Sequence, residues 1–238
     1  MHFYQFLPVL LFLAASIIII VKKEKLTLLA AVAGAVIAVF IFAGAGYAGL
    51  SMLAAFFVLG TIATSWKKNE KRALKPKEDQ SLRRNTGQVL ANGGVAGLAG
   101  ILIYFIPSKA DLLRIIMAAS LASAMADTLS SELGMVYGRR FYNIITFEKD
   151  GRGLDGVISV EGTLIGLTGS TLIAIIYALG LGWSTAVLVI IAAGTIGNLS
   201  DSVLGALMER RHYLNNNAVN LLNTLIAALA AGLYSVLA

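Results

Sequence analysis

With 238 residues, of which 58% are hydrophobic and only 13% charged, the chain is too apolar for an ordinary soluble domain and reads as an all-α, polytopic membrane protein. The absence of cysteine excludes a disulfide framework and a thiolate metal site. The formal charge of +6 has to be read first as membrane topology, and no nucleic-acid partner is expected.

Eight runs are long enough to cross a hydrocarbon core, which takes about 20 apolar residues per helix. They cover residues 3–21, 26–42, 47–65, 89–106, 115–137, 159–179, 184–208 and 218–237, and only the Gly-rich stretch 43–46 separates the second from the third. Seventeen of the nineteen Lys and Arg residues fall in alternate loops, leaving Lys109 and Arg114 on the other side. The positive-inside rule then predicts about eight transmembrane helices with both termini outside and four basic loops in the cytoplasm, in the plasma (inner) membrane. A single polytopic domain, 1–238, is expected, with 1–65 as peripheral helices and 66–238 as a motif-bearing core.

The first span has its basic residues after it rather than before it, the pattern of a retained, reversed anchor and not of a cleaved signal peptide. The second and third carry no ionisable residue, and packing is their expected role. Gly44-Ala-Gly-Tyr-Ala-Gly49 matches a dinucleotide fingerprint in letters only, because no strand precedes it, and it is read as a tight turn. No Walker-type phosphate loop occurs, and His2 and His212 stand apart from each other and from any ligand cluster.

Residues 66–88 form the longest polar stretch, and its first part, 67–77, reads as an anionic-lipid contact and topology signal. Its second part ends in Arg83 and Arg84 and leads into Asn85, Gln88 and Asn92, whose i, i+3, i+7 spacing puts three amides on one face of the fourth span. In the fifth span Ser123, Asp127 and Ser131 share a face, while Glu132 lies about 140° around an ideal helix from Asp127. Acids within an apolar span are costly and normally face a partner or a wet cavity.

The loop after this span carries Arg139, Arg140, Lys149 and Arg152, and its Gly151-Arg-Gly-Leu-Asp-Gly156 is too glycine-rich for a helix. Such a loop either aims backbone N–H groups at phosphate oxygens or is a plain hydrophilic connection. Ser159, Glu161 and Thr163 open the sixth span, where Glu161 suits either a site or helix capping. The seventh span holds Asn198 and Asp201 as i, i+3 neighbours, and Asp201-Ser-Val echoes Asp127-Thr-Leu weakly. Asn216, Asn220 and Asn223 give the eighth span an amide stripe, which either joins helices or serves a ligand.

Five spans thus bring polar residues toward one membrane face. Carboxylates with amide and hydroxyl neighbours suit hard Mg²⁺, and flexible Arg and Lys loops suit a phosphate ester whose lipid tail stays in the bilayer. On Asn85-Thr-Gly-Gln-Val-Leu-Ala-Asn92, Asp127-Thr-Leu-Ser-Ser-Glu-Leu-Gly134, Gly153-Leu-Asp-Gly-Val-Ile-Ser-Val-Glu-Gly-Thr163, Gly197-Asn-Leu-Ser-Asp-Ser-Val-Leu-Gly205 and Asn216-Asn-Ala-Val-Asn-Leu-Leu-Asn223, the chain resembles the domain-of-unknown-function 92 family of integral membrane proteins, which includes plant phytyl-phosphate kinase.

The resemblance implies a membrane-embedded prenyl-phosphate kinase, passing a phosphoryl group from a nucleoside triphosphate, CTP by expectation, to an isoprenyl monophosphate. It implies Asp127, Glu132 and Asp201 as the catalytic, Mg²⁺-holding acids. Arg83, Arg84, Arg139, Arg140 and Arg152 would hold phosphates. Asn85, Gln88, Asn92, Ser131, Gly153, Asp155, Gly156, Ser159, Glu161, Thr163, Asn198, Asn216, Asn220 and Asn223 complete the expected substrate and nucleotide set. The competing expectation is a cation-coupled transporter or lipid flippase using the same buried acids. A scaffold would not need three isolated acids in its spans.

Overall fold

A computed structural model describes residues 6–74 and 83–237, the side chains of the last helix to residue 234. Parts of two expectations, the start of the first span and Lys75 and Lys77 of the lipid-contact stretch, lie outside the described residues. The elements are helices α1 (Phe6–Lys22), α2 (Leu28–Ser65), α3 (Lys68–Arg72), α4 (Thr86–Phe105), α5 (Ala110–Tyr137), α6 (Val160–Leu181), α7 (Ala186–Leu204) and α8 (Asn216–Leu237). Two short strands, β1 (Tyr142–Asn143) and β2 (Val157–Ile158), pair antiparallel between α5 and α6, with Tyr142 opposite Ile158.

Among the described residues six helices are long and apolar enough to cross a membrane, and α1 is a shorter apolar helix. The second and third expected spans are continuous as α2, which if straight would run about 57 Å, nearly twice a hydrocarbon core. It is not straight. Gly46 has φ 59° and ψ −146°, a conformation that side-chain-bearing residues avoid, so the helix breaks there. Lys25 Nζ donates to Ser65 Oγ at 2.9 Å, which sets the two ends of α2 side by side and makes it a hairpin. The glycine-rich fingerprint is therefore the turn it was read as.

Contacts among the basic loops gather them at one end of the bundle, called here the basic face. The Thr27 amide donates to the Arg84 carbonyl at 3.1 Å and the Arg84 amide to the Lys25 carbonyl at 3.0 Å. Trp66 Nε1 donates to the Tyr137 hydroxyl at 3.0 Å, and Arg210 meets Asp150 at 2.8 Å. At the opposite end, Arg114 Nε donates to the Gly44 carbonyl beside the α2 bend at 3.3 Å.

The core is built on α5. From Met117 to Ala126 every residue of this helix is buried, and seven of those ten are Ala or Ser, small enough for neighbouring backbones to approach closely. Ile37, Ile41, Met52 and Phe56 of α2, Ile173 of α6 and Ile190 of α7 complete that core. Leu11, Phe12, Leu29, Tyr104, Phe105, Leu188 and Leu233 lie exposed around the perimeter. An apolar perimeter around helices that satisfy their own backbone groups is what a bilayer demands of an integral membrane protein.

Candidate functional site

The centre of the polar region is a meeting of α5, α7 and α8. Asp127 of α5 and Asp201 of α7 approach within hydrogen-bonding reach of each other's carboxyl groups. Asn223 of α8 is fully buried and donates from Nδ2 to Asp201 Oδ1 at 2.7 Å, while its own Oδ1 accepts from Ser123 Oγ at 3.0 Å. Beside them Ser130 donates to Asn198 Oδ1 at 2.9 Å, tying α5 to α7 again. Each acid is half-buried, neither fully buried nor exposed. Two carboxylates at that range repel each other unless a cation or a shared proton lies between them.

Glu132 is not part of this pair. Its Oε2 lies 2.5 Å from Nζ of Lys71, which also donates to the carbonyls of Ala63 at 2.7 Å and Thr64 at 3.1 Å. Lys71 is only 4% exposed, so this lysine of the 67–77 stretch is an interior residue and not a lipid contact. Arg84 reaches inward from the other side, donating from Nη2 to Thr64 Oγ1 at 3.1 Å and acting electrostatically on Glu132 and Asp127. Among the described residues no group of three or more His, Cys, Asp or Glu is gathered for a metal ion.

The glycine-rich loop docks on the end of α7. There residues Gly205–Glu209 widen into a π-turn, a local irregularity common where helices carry sites. Gly156 has φ +71°, and a Cβ on it would overlap Ala206, while a Cβ on Gly205 would lie 2.9 Å from the Gly156 nitrogen. Both positions must be glycine for this approach. Asp155 lies close enough to act electrostatically on Asp201. Asp150 anchors the loop through Arg210 and Asn143, and the Gly151 amide together with the Arg210 guanidinium holds its carboxyl below the usual carboxylate range. Arg152 sits over the Phe141 ring, 6.0 Å from its centroid, with a buried Nε that has no protein partner.

Several expected site residues are occupied with folding instead. Asn85 and Gln88 form a reciprocal capping box at the start of α4, at 3.0 and 2.9 Å. Ser159 caps α6 by accepting from the Gly162 amide at 3.1 Å, and Thr163 bonds back to the Ser159 carbonyl at 3.0 Å. Glu161 accepts from the Arg139 amide at 3.4 Å. Arg139 and Arg140 are exposed, Arg83 pairs with Glu24, and Ser131 is exposed with its hydroxyl on the Thr128 carbonyl. Gly153, at φ +83°, packs near Leu74. Asn216 is exposed at the start of α8.

Asn92 donates to the Gln88 carbonyl at 2.9 Å and Asn220 to Asn216 at 3.5 Å. The Oδ1 atoms of Asn92 and Asn220 are buried without a partner, and each amide nitrogen, with two N–H groups, makes one of these bonds. Sequence reasoning missed Lys71, Thr64, Ser130, Asp150 and Arg210. The Asn85-x-x-Gln88 spacing before an apolar run was a signal for the capping box. Nothing local distinguishes Lys71 from the lysines around it.

The chain is 39% identical over 184 residues to an uncharacterized membrane protein of Methanocaldococcus jannaschii, covering 77% of this chain and 75% of that one. It is 34% identical over 193 residues to the chloroplastic protein VTE6 of Arabidopsis thaliana, covering 78% of this chain but 58% of VTE6. An uncharacterized membrane protein of Synechocystis is 32% identical over 202 residues, covering 83% of this chain and 78% of that protein. No solved structure matches. The family match runs over residues 11–228, nearly the whole of the bundle just described, and the chain belongs to the integral membrane protein DUF92 family.

Proposed function

We propose that the protein is a Mg²⁺-dependent prenyl-phosphate kinase, transferring the terminal phosphoryl group of a nucleoside triphosphate, CTP in the first instance, to an isoprenyl monophosphate held at the basic face, which we take as cytoplasmic. The observation that carries this reading is the meeting of Asp127 and Asp201, from two different helices, beneath a glycine loop and cationic side chains. Mg²⁺ typically takes one or two protein carboxylates and completes its shell with water and substrate phosphates, and a two-acid site suits it without a third acid. When bound there, the ion would neutralise charge on the transferring phosphoryl group.

In the reaction, an oxygen of the prenyl monophosphate attacks the terminal phosphorus, the bond from that phosphorus to its bridging oxygen breaks, and a nucleoside diphosphate leaves. The product is a prenyl diphosphate. The attacking oxygen is already anionic, so alignment and charge neutralisation suffice and no strong base is required. Asn223 fixes the Asp201 carboxylate, and Ser123 fixes Asn223. Arg84 supplies positive charge toward Asp127, and the 151–156 loop offers backbone amides together with Arg152, which has an N–H to spare. The exposed perimeter leaves the acceptor's hydrocarbon chain free to remain in lipid.

The test is purified protein in detergent with labelled CTP, Mg²⁺ and phytyl or geranylgeranyl monophosphate. Labelled prenyl diphosphate is the expected product. If no nucleotide and no prenyl acceptor yields it, and the protein in vesicles instead takes up solute driven by a cation gradient, the acid pair belongs to a transporter.

A further inference from the structure

We propose that Lys71 and Glu132 are a latch that holds residues 66–74 across the basic-face end of α5, next to the acid pair, so that both are positioning residues rather than ligands of substrate or metal. An ammonium has three N–H donors. Lys71 spends them on three acceptors, the Ala63 and Thr64 carbonyls and Glu132 Oε2. The two carbonyls belong to the last turn of α2, where such groups lose intrahelical partners and carry the negative end of the helix dipole. No donor remains for a phosphate while the latch is closed.

The strap is pinned along its length. It leaves α2 at Trp66, whose indole donates to Tyr137 at the end of α5, and turns through Lys67 in a left-handed conformation. Lys71 then reaches Glu132, and Leu74 arrives beside Gly153 in the glycine loop. The strap thus joins the end of α2, the end of α5 and the loop that docks on α7. Thr64 is the relay: its carbonyl takes Lys71 and its hydroxyl takes Arg84, which reaches toward Asp127. Releasing Lys71 would free the strap and slacken the hold on Arg84. Opening the strap takes from Glu132 the ammonium bonded to it and leaves Arg84 as its remaining counter-charge, so the closed form is favoured at rest.

The absence of cysteine makes a direct test possible. A Cβ added at Gly153 would lie 3.6 Å from Leu74 Cβ, within the roughly 3.5–4.5 Å a disulfide spans, and because Gly153 has φ +83° the cysteine strains the loop equally in the parent and in the latch variants compared with it. The L74C/G153C protein should cross-link readily under mild oxidation in the absence of any ligand, and adding Lys71→Met or Glu132→Gln should slow cross-linking about tenfold or more. Lys71→Arg, which keeps the charge, should retain most of the rate. This arm depends on no assumed reaction. A rate indifferent to both latch substitutions overturns the proposal, and if the strained cysteine at 153 does not cross-link, the turnover of Lys71→Met against that of Glu132→Gln decides it.

The second arm rests on the phosphoryl-transfer reading. Oxidised L74C/G153C should lose turnover about tenfold or more relative to the same protein reduced, with recovery on adding reductant. Lys71→Met and Glu132→Gln should lower turnover to a similar extent, and the double variant should be no worse than either, since residues acting as one unit are not additive. Neither should change the Mg²⁺ concentration for half-maximal rate. A Glu132→Gln protein that needs far more Mg²⁺ while Lys71→Met does not would return Glu132 to the metal and overturn the latch. If no phosphoryl transfer is found at all, the kinase reading fails and the cross-linking result still decides the latch.

Discussion

Asp127 and Glu132 stand five residues apart on one helix and face opposite electrostatic settings. Asp127 meets another acid, Asp201, with amide and hydroxyl donors behind it. Glu132 meets a buried lysine that has no other carboxylate near it among its hydrogen bonds. The first arrangement repels unless a cation or a shared proton lies between the acids, and the second is already neutral. The two carboxylates, both partly exposed, therefore differ first in what faces them.

Substitutions should separate the two acids by the sign of their effect on stability. Asp127→Asn or Asp201→Asn removes one of two facing charges, so the melting temperature should hold or rise while phosphoryl transfer falls at least about 100-fold. Both are measured on the same purified protein, and full turnover in either variant would remove that acid from the site. Glu132→Gln instead leaves Lys71 buried without a counter-charge, and should cost about 3 kcal/mol of stability, read as a fall in melting temperature. A Glu132→Gln protein as stable as the parent would erase the contrast.

The glycine loop sharpens the comparison from the side of α7. Gly156→Ala combines a positive φ with overlap against Ala206, and should destabilise by about 2 kcal/mol while moving Asp155 away from Asp201. An unchanged melt would mean that the loop does not dock on the π-turn. Ser130→Ala acts on the α5–α7 seam alone, leaving the buried Asn198 Oδ1 short of its donor at a cost of about 1–2 kcal/mol, with little change in turnover.

How much of this could be read from the letters follows from the range of the forces involved. The apolar spans, the turn at the glycines of 44–49 and the gathering of the basic loops at one end are local or compositional and were legible. That Asp127 and Asp201 need a partner or a wet surrounding was legible too, because an acid inside an apolar run is costly wherever it points. That they meet was an expectation from the resemblance and not from periodicity, since helix periodicity fixes a face and not the neighbour it meets. Lys71 was illegible for the same reason: its role depends on α3 folding back on α2, an event between residues 63 and 71 that no pattern of charge announces. Asn85, Gln88 and Ser159 carry a capping signature that competes with any reading of them as ligands, and capping is where their hydrogen bonds go.

The smallest effect concerns Asp150, the loop's other anchor. Its carboxyl is held below the usual carboxylate range by the Gly151 amide first and the Arg210 guanidinium second. A group whose folded value is depressed contributes stability above its unfolded value, near pH 4, and loses that contribution as pH falls through the folded value. Across pH 5 to 8 the contribution is therefore constant. Asp150→Asn should lower the melting temperature by a small, pH-independent amount in that window, with the gap to the parent closing only in stronger acid. Lys71 and Glu132 carry the heavier tie between strap and helix, so the loop should stay docked in Asp150→Asn and cross-linking between positions 74 and 153 should be nearly unchanged. A gap that widens between pH 5 and 8 would mean that some other group in the loop titrates there and that Arg210 is not its main partner.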